Sequence, residues 1–209
     1  MSLLAGALTM GFILAVMALG VFVTFRIFGF ADLGTDGVLT LGAAVAAILI
    51  ARGASPVVAT LAAAGAGMLA GCTTGVLHTR LRVNSLLSGI LVMTGLYSVN
   101  LRIMGGSNVP LSRTATLADM AGTVIRKLTG LETVRMGAWS VLTGDLAALA
   151  GAAAVACLLA LALRVFLATD FGVALRASGD NAQSALAQGV SAPDMLLISL
   201  AVSGGFSAL

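Results

Sequence analysis

The 209 residues are 59% hydrophobic and only 9% charged, with a mean hydropathy of +1.10. An average soluble domain carries about a quarter charged residues, so a soluble globular fold is excluded. Eleven Arg and Lys against eight acids give a net charge of +3, but they are scattered and form no basic run, which leaves no footprint for nucleic acid.

Residues 3–25 carry no charge, and at 1.5 Å per residue they reach roughly 35 Å, enough to cross a hydrocarbon core of about 30 Å. A cleaved signal peptide is the rival reading, but no basic segment precedes the run and it exceeds the usual apolar core of about 7–15 residues. Residues 26–37, RIFGFADLGTDG, then break the pattern before a short apolar run over residues 38–51. That run covers only about 21 Å. The chain must either recruit part of the Gly-rich segment or use a broken helix at membrane depth, a device that lines transport pathways. Asp32, Asp36 and Gly37 are therefore candidate pathway residues, and an interfacial loop holding both aspartates is the plain alternative. A carboxylate buried at the bilayer centre would cost roughly 2.5–3.5 kcal/mol on insertion scales.

After a tight turn at residues 52–55, Pro56 suits the first position of a third span reaching about Leu77. Within it Gly67, Gly71 and Gly75 recur every four residues on one face, extended by Ala63, the signature of a close helix contact. A Gly-rich chain produces such spacings by chance, but three in register inside one span favour an interface. His78, Arg80 and Arg82 follow as a polar knot. Residues 86–101 form a fourth span with Asn84, Tyr97 and Asn100 at or near its ends, and Arg102 snorkels to the interface.

Residues 105–144 are the longest hydrophilic stretch. Inside it Leu117, Met120, Ala121, Val124, Ile125, Leu128 and Leu131 share one helical face, which predicts an interfacial helix or a surface cover over the bundle. Residues 146–167 are the fifth span, interrupted near the end by Arg164. A sixth run begins after Pro193 and ends in SGGFSAL with no polar flank, as a truncated helix would. The expectation is an all-α, polytopic transmembrane helix bundle over residues 1–209, with about five complete spans plus a truncated sixth, and the chain itself a fragment of a longer protein.

Between the last two runs lies residues 168–190, ATDFGVALRASGDNAQSALAQGV, the best-punctuated polar segment. Asp180 stands three residues before Gln183, a capping-box spacing, and Gly189 is placed to end the helix in a left-handed turn. A helix of about two turns is marginal alone in water, so it needs a docking partner. Enzyme chemistry finds no support. Lys127, the only lysine, follows no glycine-rich loop, so there is no P-loop. His78, the only histidine, has no second ligand at metal spacing. Cys72 and Cys157 fall inside apolar runs, where packing is the better reading. No catalytic residue, cofactor or metal is expected.

The segment FGVALRASGDNAQSALAQGV resembles the cytoplasmic loop of the permease subunits of bacterial ABC importers, in the branch serving branched-chain amino acids and ribose-type sugars. The resemblance falls on Gly172, Arg176, Ala177, Gly179, Asn181, Ala185 and Gly189. FADLGTDGVLTLGAAVAA and LLSGILVMTGLYSVNLRIMG are similar to further parts of the same branch, nearest the permeases found with amino-acid-type binding proteins. The Glu-Ala-Ala opening of the best-known importer motif is absent. The resemblance implies a coupling helix seated in a groove of a separate ATPase subunit, with Arg176 and Asn181 holding the loop shape or meeting that partner. It also implies a second permease chain, an extracytoplasmic substrate-binding protein and a multi-pass place in the bacterial inner membrane.

That assignment puts Arg26, the His78 knot and residues 168–190 in the cytoplasm and residues 105–144 outside. Charge counting is mixed, because Arg52, Arg102, Arg113, Arg126, Lys127 and Arg135 then face outward, although long loops are weak topology signals. Two other classes stand beside this one. An ion-coupled secondary transporter would use Asp32 or Asp36 to bind a proton or sodium. A non-transporting scaffold would rest on the glycine row alone.

Overall fold

In lipid an uncharged segment has only its own backbone as a hydrogen-bond partner, and the first run closes accordingly into helix α1 (Ser2–Phe22). Here and below the protein is described by a computed structural model, which covers residues 2–106, 133–136 and 139–209. α1 widens into a π-helical turn, Val23–Ile27. The chain leaves it through bonds from the Gly29 N–H to the Phe25 carbonyl (3.0 Å) and from the Phe30 N–H to the Thr24 carbonyl (3.2 Å). After an irregular connection, residues 28–34, helix α2 (Thr35–Ala51) begins. Its 17 residues include Thr35, Asp36 and Gly37, so the short apolar run does recruit the Gly-rich segment, and its length is about 26 Å.

Ser55 accepts the Val58 N–H and Pro56 opens helix α3 (Pro56–Thr79), the position where a missing N–H costs nothing. Asn84 accepts the Leu86 N–H at 3.1 Å and starts helix α4 (Ser85–Met104). Gly105, at φ +65°, closes it in a left-handed cap that a side chain would strain. The residues of the expected interfacial helix, Leu117 to Leu131 on their shared face, lie outside the described residues. Within the same hydrophilic stretch the structure adds a small hairpin the sequence reading did not foresee. Strand β1 (Thr133–Met136) pairs antiparallel with β2 (Trp139–Leu142), Thr133 opposite Leu142 and Met136 opposite Trp139. Helices α5 (Thr143–Ala168), α6 (Asp170–Asp180), α7 (Ala182–Ala187) and α8 (Ala192–Ala208) complete the chain.

The fold is an all-α membrane bundle carrying that one hairpin. Among the described residues four helices are long and apolar enough to cross a bilayer, Leu3–Ile27, Pro56–Thr79, Ser85–Met104 and Ala148–Ala168, and two apolar helices, Thr35–Ala51 and Ala192–Ala208, are shorter. The expected second span is the shorter helix α2, which gains only three residues over its apolar run. Leu3, Leu69 and Leu158 are among many large side chains turned outward, as a lipid-facing surface requires.

α8 occupies the centre, packed against α1, α2 and α3. Gly67 and Gly71 of α3 lie directly on the backbone carbonyls of Gly204 and Leu200, and a Cβ at Gly75 would stand 3.1 Å from the Leu197 Cα. Gly42 of α2 meets the Ala208 carbonyl in the same way. Around that contact Val38, Leu41, Ala70 and Ala208 form the buried core. Ala63 is also buried.

Three contacts gather the connections at one end of the bundle. The Phe30 ring meets His78 edge-on at 5.1 Å, Gly89 of α4 lies on the backbone of Leu33 and Gly34, and Gly179 of α6 lies on the Ile27 carbonyl. Backbone overlap of this kind has a direct consequence at Gly71. Gly71→Ala is expected to destabilise the bundle by about 1–3 kcal/mol, the usual cost of overpacking. Gly65→Ala on the same helix, where a Cβ meets nothing within 4 Å, is expected to be tolerated. Thermal unfolding of the two variants in one detergent, side by side, checks the contrast.

Candidate functional site

The polar segment after α5 folds as two helices and not one. α5 ends at Ala168, and Thr169 joins it to α6, its Oγ1 accepting the Gly172 N–H at 3.3 Å. Asn181 then closes α6 and opens α7, its Oδ1 accepting from both Gln183 N (3.1 Å) and Ser184 N (3.0 Å). The cap is therefore Asn181, and Asp180 is the last residue of α6. The capping-box reading placed it one residue early, because a side-chain oxygen at residue 181 reaches the N–H groups two and three residues on. α7 has six residues, about 1.7 turns, in keeping with the expected length of about two turns. Gly189 does take the left-handed conformation, φ +83°, and residue 190 bonds back to the Ala185 carbonyl at 2.9 Å.

The residues singled out in this segment divide by direction. Gly172 lies on the Phe166 carbonyl and the Leu167 Cα, which lets α6 fold back tightly from α5, and Gly179 lies on Ile27. Arg176 donates from Nη2 to the Leu167 carbonyl at 2.9 Å, satisfying one of the orphan acceptors at the end of α5. Ala185 is buried, whereas Ala177, Asp180 and Asn181 are exposed. So Gly172, Arg176 and Gly179 fasten the corner to α5 and α1. The outer surface is supplied by Phe171, Val173 and Leu186, the last 65% exposed.

A second cluster surrounds the start of α2. Asp32 Oδ1 accepts the Gly34 N–H at 2.8 Å and the Asp32 carbonyl accepts the Thr35 hydroxyl at 2.9 Å, a local turn typical of Asp. Gly89 of α4 is pressed against this turn, where a Cβ would be 3.0 Å from Asp32 Oδ1. Burial pushes the Asp32 carboxyl above its ordinary 3.8, partly offset by the Gly34 bond. Asp36 is exposed and stays apart from it, while Gly37 is buried against the Met93 Cα.

One residue here was named only as lying near a helix end. α4 runs on to Met104, so Asn100 sits inside the helix, 3% exposed. Its Nδ2 reaches the Gly37 carbonyl at 3.4 Å and its Oδ1 has no partner among the described residues. The available signal was an amide inside an apolar span, which is costly and marks function more often than packing. The glycine row with Ala63 sits apart from both clusters, on the α3 face toward α8.

Fold and site together define a multi-pass membrane protein with a two-helix corner clamped across the ends of two spans, and a buried polar turn next to it. The chain belongs to the family described as branched-chain amino acid transport system / permease component, which matches residues 3–209. It is 37% identical over 209 residues to the tyrosine transport system permease protein of Clostridioides difficile (strain R20291), covering 100% of this chain and 63% of that protein. It is also 36% identical over 120 residues to an uncharacterised protein of Rickettsia prowazekii (strain Madrid E), covering 57% of this chain and 42% of that one. The chain thus spans less than two thirds of the length of either curated relative. No solved structure matches it.

The raised Asp32 carboxyl sets a pH dependence. At low pH the group is neutral in folded and unfolded chains alike and costs nothing. As pH rises past the ordinary 3.8 the unfolded chain ionises first, so stability falls until pH passes the raised folded value, then levels off. Asp32→Asn keeps an oxygen for the Gly34 N–H and is expected to remove this decline, leaving the protein at least as stable at pH 7. Asp32→Ala loses the bond as well and is expected to be less stable than Asp32→Asn by about 1 kcal/mol. Unfolding midpoints of the three proteins across pH 4–8 read the difference.

Proposed function

We propose that the chain is the membrane-spanning permease subunit of an ABC importer. It forms part of the translocation pathway for a small solute, an amino acid by class, and couples that pathway to ATP hydrolysis in a separate subunit. The observation that carries this reading is the α6–α7 corner, anchored by Gly172 and Arg176 to α5 and by Gly179 to α1, in a chain of a permease family. Its free face presents Phe171, Val173 and Leu186, and a helix of six residues does not hold in water without something to rest on. The ATPase is the partner that fits.

Closure of that ATPase would move α7 and α6 as one body. Because the Ile27 carbonyl lies directly against Gly179, the push reaches the end of α1, and through the single residue Thr169 it reaches α5. Rigid-body displacement of packed helices is an ordinary way of switching access. Five residues beyond Ile27 stands Asp32, so the turn at Asp32, the start of α2 with Asp36 and Gly37, and Asn100 on α4 are proposed to line the part of the pathway that responds. In this reading residues 168–190 are cytoplasmic and residues 105–144 extracytoplasmic. The complex contains a second permease chain and an extracytoplasmic binding protein, and the membrane is the bacterial inner membrane. An amino acid is favoured because the relative from Clostridioides difficile is a tyrosine transport permease.

The test uses the full-length permease with its ATPase in proteoliposomes, and tyrosine as the first substrate. Leu186→Asp should leave the permease folded while weakening the ATPase contact by about tenfold or more, as loss of an interface anchor does. Gly179→Leu should keep the ATPase bound but cut both uptake and its substrate-stimulated hydrolysis. Normal stimulated hydrolysis and uptake in both variants would sink the coupling role. Uptake that persists without any ATPase would transfer the function to an ion-coupled carrier.

A further inference from the structure

A groove of about 480 Å³ runs between α1 and α5 at the same end of the bundle as α6, a size within the range of ligand sites. Its floor is Leu163, buried to 4% exposure, and its walls are Leu19, Phe22 and Leu167. Arg164 and Arg176 are part of the lining, and among the described residues no carboxylate contributes to it. We propose that this groove binds an anionic phospholipid, with an acyl chain along the leucine and phenylalanine walls and the headgroup phosphate between the two guanidinium groups. The proposal rests only on the chain spanning a bilayer, and holds whatever solute it carries.

Two features select this occupant. Arg164 lies four residues before the end of α5 at Ala168, about 6 Å along the helix, so its charge starts below the helix end and must extend toward the headgroup layer for a counter-charge. Arg176 uses Nη2 on the Leu167 carbonyl, and a guanidinium has five N–H donors in a fork that matches phosphate oxygens. An apolar helix laid in the groove would offer neither cation a counter-charge. A phospholipid satisfies the walls and the cations at once, and its phosphate would share Arg176 with the end of α5, bracing the α5–α6 corner.

Native mass spectrometry of the purified full-length permease tests this, with dioleoylphosphatidylglycerol and dioleoylphosphatidylcholine as probes. The wild type should retain phosphatidylglycerol in preference to phosphatidylcholine. Arg164→Gln should weaken the phosphatidylglycerol complex roughly fivefold, the share of one basic residue at a lipid surface. Ala160→Trp, which fills the groove with every charge kept, should abolish that preference even where Arg164→Gln proves too unstable to purify. Equal retention of the two lipids by the wild type, or phosphatidylglycerol retention unchanged in both variants, overturns the proposal. So does a cysteine at Ala160 that cross-links to another protein segment in native membranes, because the groove is then a protein interface.

Discussion

The bundle depends on the place where two backbones touch. Lipid tails are as apolar as leucine, so spans gain little from hiding apolar side chains and hold together through close packing. α3 and α8 achieve this at Gly67, Gly71 and Gly204, where main chain lies on main chain. Removing side chains there brings the peptide groups of both helices into dispersion contact, and each added atom must displace backbone. Once α8 is fixed in that groove, its other faces set the positions of α1 and α2. Ser199, Ser203 and Ser207 are all buried along it, small enough for close neighbours, with Ser199 and Ser207 returning their hydroxyls to the Leu196 and Ser203 carbonyls at 2.8 Å. Gly20 of α1 completes the arrangement, seated on the Ser203 carbonyl with room for a Cβ only 2.7 Å away.

From this centre the order continues to one end of the molecule. There the connection between α1 and α2, the end of α3, the start of α4 and the α6–α7 corner meet through Phe30 on His78, Gly89 on residues 33–34, and Gly179 on Ile27. His78 also holds the Val83 carbonyl through Nδ1 at 2.7 Å, tying the turn between α3 and α4 to the same place. The widened turn at Val23–Ile27 belongs to this scheme, since it frees carbonyls of its own for the N–H groups of Gly29 and Phe30. A surface touched at α6 is therefore one contact from α1 and two from the buried turn at Asp32.

Much of this was legible because its causes are local. The Gly67, Gly71 and Gly75 spacing, the Ser55-Pro56 start, the Gly189 turn and the apolar lengths each follow from rules that act within a few residues. What was not legible depended on distant partners. Whether Asp180 or Asn181 caps α7 turns on a one-residue difference in where α6 stops, and α6 continues because Gly172 and Gly179 find carbonyls on other segments to lie against. The same residues that resemble a family loop thus serve as packing surfaces, which no motif could reveal. Asn100 was visible as a letter, but its burial depended on α4 running three residues further than its apolar run. The strand pair Thr133–Met136 and Trp139–Leu142 joins two stretches whose periodicity is too short to read.

Asn181 ends one helix and begins the next with a single extended residue, φ −151° and ψ 96°. A corner built this way has no slack to take up, unlike a linker of several residues whose dihedrals could absorb a displacement. Its stiffness is set by one pair of torsions and by the two hydrogen bonds on its own side chain. The joint therefore holds the two helices at a fixed angle. Adding one residue there would break the arrangement in which the same Asn181 ends α6 and caps α7, and so would change the direction in which α7 leaves the corner.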